Sequence, residues 1–309
     1  MLASVFSKSR PINYILIGVA LVIFYFLYLT KDTYWAGSYL LVLQKAGLLL
    51  LLSASLFLVN FITRRNTLSK ANTYAMFLFM MFLVLLPTTL VNINIIISNF
   101  LLLLALRRLI SLQSLITPKE KIFDASFWIF ASALFHFWSL LYIVLVFISI
   151  IFHVYRDYRN WIIPFIAFFA VAIIYYMAIL MLGRDFFDHL HGEARISFDF
   201  TYFENIYQNI TLAVFSSFAV LFSVTQILAL PGKPLNMQSS YQKIIYSFFI
   251  GVAVYVLSAD KNNSFLAFTF APLAIMGANY IESQENVWIR EGIPTLLVAI
   301  SLFLFLSQL

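Results

Sequence analysis

The chain has no cysteine, and only 10% of its 309 residues carry a charge. The first absence excludes disulfides, thiolate metal sites and cysteine nucleophiles. The second excludes much more. A soluble domain carries roughly 25% charged residues, whereas 63% of this chain is hydrophobic. A water-soluble enzyme, a nucleic-acid-binding domain and a disordered chain are all incompatible with that balance. Catalytic signatures are missing too: there is no P-loop, no G-x-S-x-G, no H-E-x-x-H and no dinucleotide fingerprint. Nine glycines are few for a carrier that rocks. No inverted repeat with paired Gly/Pro-broken helices is visible, which weakens a secondary-transporter reading.

What is present is a succession of apolar runs rich in aromatic residues, with a mean hydropathy of +0.95. The class that remains is an all-α, polytopic transmembrane helix bundle, one integral membrane domain over 1–309. Spans are expected near 12–30, 39–62, 73–91, 92–110, 122–137, 138–155, 161–183, 208–230, 243–258, 264–282 and 293–309, about eleven in all. The first run follows Lys8 and Arg10 and outlasts a signal-peptide core without a cleavage site, so it reads as an uncleaved span.

Two stretches do not divide simply. The run 73–110 is too long for one span, and Pro87 followed by Thr88, Thr89, Asn92 and Asn94 marks a turn between two short helices. The run 122–155 has no internal Gly or Pro. As one helix it would reach roughly 50 Å, against about 30 Å of hydrocarbon. Two short helices, hairpin or re-entrant, with a break around Leu134–Ser139 are the better solution, provided that protein or a wet cavity surrounds the break.

Charge sets the orientation. With the N-terminus inside, inner loops hold fourteen Lys and Arg and outer loops hold four, with Lys45 left within a span. The positive-inside rule favours that arrangement. The excess of basic residues is read as this topology signal and not as a sign of anionic partners. Trp35, Trp161 and Trp288 fall at span ends, where indole rings suit the headgroup layer.

The residues that could carry chemistry are few. The largest polar loop, 184–209, lies on the outer side and holds five of the 13 acids. Its densest part contains Arg184, Asp185, Asp188, His189, His191 and Glu193. Imidazoles and carboxylates ligate divalent cations, so Asp185, His189 and His191 are candidate metal ligands. The spacing matches no established metal signature, and a solvated polar loop is the competing reading; no cofactor is otherwise evident. Asp188 and Glu193 are candidate general acids or bases on the same footing. Lys45 lies about six residues into the second span and either snorkels to the interface or meets an anion in a cavity. His136 falls mid-membrane if 122–155 is a hairpin, as a packed side chain or as part of a proton relay.

The segments "FSKSRPINYILI", "NFLLLLALRRL" and "FDASFWIFASALFHFWSLLYIVLVFISIIF" resemble an uncharacterised family of integral membrane proteins of Bacteroidota. That resemblance implies a bacterial inner membrane and no mechanism. The short paired helices, with Asp32 and Tyr34 in "KDTYWAG", are also similar to GT-C-fold membrane glycosyltransferases, in which an acid of the first outer loop is catalytic. The first outer loop here is shorter than in those enzymes. The resemblance implies Asp32 at the place of the catalytic carboxylate; a transferase acting on a polyprenyl-phosphate-linked sugar or other envelope lipid at the outer leaflet would use Asp32 or an acid of 185–204 as base and Lys45 or Arg184 to bind the substrate phosphate, whereas Lys45 and His136 would line the path of a transporter. The alternatives are a non-catalytic subunit or scaffold docking other envelope membrane proteins, and a transporter. Membrane lipid is a partner in every case, and nucleic acid in none.

Overall fold

The computed structural model describes residues 2–31, 34–182, 195–197, 206–259 and 261–309. These residues fold into twelve α-helices without a named strand. In chain order they are α1 (Leu2–Phe6), α2 (Pro11–Leu29), α3 (Tyr39–Arg65), α4 (Tyr74–Leu85), α5 (Ile93–Ser111), α6 (Pro118–Ala133), α7 (Ile143–His153), α8 (Arg159–Leu182), α9 (Ile206–Ala229), α10 (Leu235–Leu257), α11 (Ala267–Ser283) and α12 (Val287–Ser307). Each of the eleven expected spans corresponds to one helix from α2 to α12. Eight helices among the described residues are long and apolar enough to cross a membrane. The protein is a multi-pass helical membrane protein.

The helices run up and down between two ends. At the first end Glu291, at the start of α12, accepts the backbone N–H groups of Ala3 and Ser4 at 2.8 and 2.9 Å. Glu282, at the end of α11, accepts from the Lys70 N–H and from the Asn72 amide. At the other end the Lys31 ammonium donates to the Gln308 carbonyl at 2.9 Å, and the Asn263 amide to the Gln208 carbonyl at 3.1 Å. The first is called the basic end below, because all fourteen inner-loop cations of the sequence analysis sit there. Two of its carboxylates thus cap backbone and do not neutralise cations.

The centre of the bundle is α4. All twelve of its residues are buried, and α11 beside it is 89% buried, against 22% for the peripheral α8. A helix that is apolar on every side belongs inside a bundle. At roughly 18 Å it cannot span the hydrocarbon alone. It ends at Leu86–Pro87, where a 3-10 turn, Pro87–Leu90, leads to Asn92, whose side chain caps α5 through the Ile95 N–H. Asn92 also donates to Ser264 Oγ at 2.9 Å, in the matching turn ahead of α11. Aromatic rings fill the core: Phe82 meets Phe215 edge-on at 5.4 Å and Phe270 at 5.9 Å. Lipid tails are as apolar as these rings, so the gain over lipid is close contact and not transfer from water.

The run 122–155 is a hairpin, α6 and α7, broken where expected. Leu134–His136 form the turn and Phe137–Tyr142 a 3-10 segment. The freed polar groups are met by protein. Ser132 Oγ lies 2.6 Å from Ser98 Oγ and 2.9 Å from Ser139 Oγ, and the His136 N–H donates to the Ser132 carbonyl. The Tyr142 hydroxyl reaches the carbonyls of Ser247 and Phe268 at 3.1 and 3.0 Å. Protein partners thus satisfy the polar groups that the break in the hairpin frees.

Helix approach is closest at Gly277 of α11, where an added Cβ would come within 2.7 Å of Leu78 Cδ1 and 2.9 Å of the Phe222 ring. Gly18 on α2 has open space. Gly277→Ala is expected to overpack the core by about 1–3 kcal/mol. Gly18→Ala should leave stability unchanged or slightly raised, since alanine is the better helix former. Thermal unfolding of both variants in detergent checks this; equal melting temperatures would refute the close approach.

Candidate functional site

Three helices deliver cations to one place at the basic end. Arg65 is the last residue of α3, Arg107 and Arg108 lie in the last two turns of α5, and Lys121 is in the first turn of α6. They line a cavity of about 530 Å³, together with Phe61, Asn66, Thr67, Ser111, Gln113, Ser114 and Ile116. A volume of that size suits a small-molecule ligand. Cations at the C-termini of α3 and α5 also complement the carbonyl ends of those helices.

The basin has a fixed frame. Lys121 is buried, with its ammonium 2.7 Å from both the Ser111 carbonyl and Ser114 Oγ. Gln113 donates to the Asn236 carbonyl at 2.7 Å and accepts from Ser240 Oγ at 2.7 Å, which ties the α5–α6 loop to α10. The Arg107 guanidinium lies over the Phe61 ring at 4.8 Å. Among the described residues three non-glycine positions have positive φ: Thr67 at 52°, Leu115 at 55° and Thr117 at 43°. Thr67 lines the basin, and the other two flank Ile116, which also lines it. Left-handed backbone is costly for a bulky or β-branched residue and persists where the surroundings impose it, commonly at ligand sites.

The charge balance is uneven. Arg108 pairs with Asp124 at 2.6 Å, and the other ion pair between described residues, Lys119–Asp157 at 3.3 Å, lies outside the basin lining. The partners of the Lys121 ammonium are neutral. Arg65, Arg107 and Lys121 therefore have no carboxylate partner among the described residues. At the nearby start of α8 the Arg159 backbone N–H, ahead of the Lys119 side chain, holds the exposed Asp157 carboxyl below its usual range.

Behind the basin lies a second buried cation. Lys243 of α10 has no exposed surface, and its ammonium donates to the Leu109 carbonyl at 2.7 Å and to His153 Nε2 at 3.1 Å. With the ammonium as donor, Nε2 accepts, and the imidazole proton sits on Nδ1.

The residues singled out from the sequence fare differently. Asp32, Arg184, Asp185, Asp188, His189, His191 and Glu193 lie outside the described residues. Among those that are described, no group of three or more His, Asp or Glu is placed to hold a metal ion. Lys45 is half-buried near the start of α3, where flanking Leu43 is 72% exposed; its carbonyl accepts from the Tyr25 hydroxyl at 2.8 Å. No ion pair with Lys45 occurs among the described residues, and the lipid-facing setting is that of a snorkelling side chain. His136 lies at the end of the bundle opposite the basin, where Nε2 lies 3.0 Å from Ser258 Oγ at the close of α10. Its ring stacks on Phe268 at 5.3 Å, and the segment Arg195–Ser197 docks over it through the Ile196–Ser258 bridge. It is a packed, hydrogen-bonded histidine.

Sequence reading missed the basin because each of its cations already had a sufficient explanation in the positive-inside rule. The available sign was pairing: Arg64–Arg65 and Arg107–Arg108 each close an apolar helix, with Lys121 soon after.

The Lys243–His153 contact makes a double-mutant test. His153→Leu removes an acceptor from a buried ammonium and is expected to cost about 1–3 kcal/mol. Adding Lys243→Met removes the donor as well and should recover most of that loss. Melting temperatures of the two single variants and the double variant measure it; strictly additive losses would contradict the contact.

No curated protein and no solved structure matches the chain. One family model does, over residues 1–309, and it is described as a family of unknown function. Its match takes in every helix that builds the basin, and the chain belongs to that family, DUF6427.

Proposed function

We propose that the chain is an inner-membrane protein of the bacterial envelope, with its N-terminus in the cytosol, that holds the anionic headgroup of a lipid in the basin at its basic end. The observation that supports this most is the set of three cations from three helices without carboxylate partners, around a cavity of about 530 Å³ where the helices end. An excess of Lys and Arg at one end favours the cytosolic side for that end, which would bring the basin to the headgroups of the inner leaflet. Basic pockets between helices on that face suit anionic headgroups.

The reading differs from the expected outer-leaflet site. That site rests on Asp32 and the 184–209 loop, most of which lies outside the described residues, whereas the basin stands on described geometry. The expected glycosyl transfer uses a carboxylate to accept the proton of the acceptor. The basin's neighbouring acid, Asp124, is committed to Arg108. Binding and presentation of a lipid, without group transfer at this place, is what the basin supports.

Because the chain has no cysteine, single replacements report topology cleanly. Ser7→Cys at the basic end should react with a membrane-impermeant maleimide only after the cells are opened, and Ser38→Cys at the far end in intact spheroplasts. The reverse pattern overturns the orientation. In the purified protein, each of Arg65→Ala and Arg107→Ala should lower enrichment of anionic over zwitterionic lipid by roughly tenfold, the scale of one lost charge-assisted hydrogen bond. Native mass spectrometry reads this; unchanged enrichment would refute the basin's role.

A further inference from the structure

The basin's donors allow its ligand to be specified further, on the reading just given. We propose that it takes a lipid ending in a phosphate monoester or diphosphate, in preference to the phosphodiester headgroups of bulk anionic lipids.

Arg65, Arg107 and Lys121 have no carboxylate partner among the described residues, and Asp124 is held by Arg108. A phosphodiester brings one negative charge and leaves two cations uncompensated. A monoester approaches two negative charges above its second ionisation, at a pH of about 6. A diphosphate brings at least as many.

A terminal phosphate has three non-bridging oxygens, and a diester has two. The basin presents cations from three separate elements, α3, α5 and α6. Two of the three Lys121 ammonium donors are used by Ser111 and Ser114, which leaves one. The Arg107 guanidinium, laid over Phe61, keeps its planar fork of donors, which suits two phosphate oxygens at once. Donors on three separate elements, with Arg107 able to hold two oxygens, are better filled by three terminal oxygens than by the two of a diester.

Phe61 and Ile116 line the same cavity and remain 43% and 68% exposed. Arginines beside an exposed phenylalanine and isoleucine, at the level where helices leave the hydrocarbon, fit a phosphate that carries an apolar chain. The left-handed Leu115 and Thr117 hold Ile116 at this position. A soluble phosphate would make no use of these side chains.

The test uses the full chain in nanodiscs of phosphatidylcholine with an equal fraction of either phosphatidic acid, a monoester, or phosphatidylglycerol, a diester. At pH 8 phosphatidic acid should be retained about tenfold more than phosphatidylglycerol. The preference should shrink at pH 5, where the monoester carries one charge. Arg65→Ala, at an exposed position, and Arg107→Ala should each abolish the preference. Equal retention of the two lipids at pH 8 overturns the inference and leaves the headgroup reading intact, and retention of neither overturns both. Added inorganic pyrophosphate tests the chain's role: if it displaces phosphatidic acid at equimolar concentration, the ligand is a soluble phosphate and the lipid assignment falls.

Discussion

In hydrocarbon a backbone N–H or C=O without a partner costs several kcal/mol, because no water can replace the missing bond. The rest of this architecture depends on that constraint. Helix α4 is too short to cross and stops inside the bundle, and the α6–α7 hairpin unwinds at its tip. Each break is allowed because protein surrounds it. Asn92, Ser264 and the 3-10 turn at Pro87 close the first, and Ser98, Ser132, Ser139 and His136 close the second. The long helices α2, α3, α8, α9 and α12 are the least buried of the spanning helices, whereas α4 is buried along its whole length.

A second consequence concerns charge. Ammonium and guanidinium groups cannot rest in the hydrocarbon, and they collect where helices end. Here α3, α5 and α6 end or begin side by side, so their terminal cations become neighbours. Two of the basic end's acids are spent on backbone: Glu291 on α1, and Glu282 on the segment at Lys70–Asn72. With Asp124 held by Arg108, the basin keeps a positive surplus that a headgroup can satisfy. Folding thus creates the basin as a by-product of where each helix must stop, and the left-handed turns at Thr67, Leu115 and Thr117 shape its walls.

How much of this was legible from residues alone follows from the range of each interaction. Helix number and both breaks depend on local facts, such as Pro87 with its polar followers and a 34-residue run without a second loop, and these were readable. The place of His136 along the bundle was not, because a helix pair's offset is set by packing: Tyr142 reaching two carbonyls places the hairpin tip level with Ser258. The meeting of Arg65, Arg107 and Lys121 is non-local as well, with no period in the sequence to announce it. Positive φ at two threonines and a leucine runs against their intrinsic preference, so only tertiary structure could reveal it. The acid-rich 184–209 loop drew attention by composition, which is local and therefore visible.

The account is tested most directly by an electron-microscopy map of the protein in nanodiscs containing phosphatidic acid. It predicts headgroup density in the basin within hydrogen-bonding distance of Arg65, Arg107 and Lys121, with an acyl chain leaving past Phe61 and Ile116. A basin holding only water, or one closed by a carboxylate of this chain turned onto Arg65 and Arg107, would contradict it.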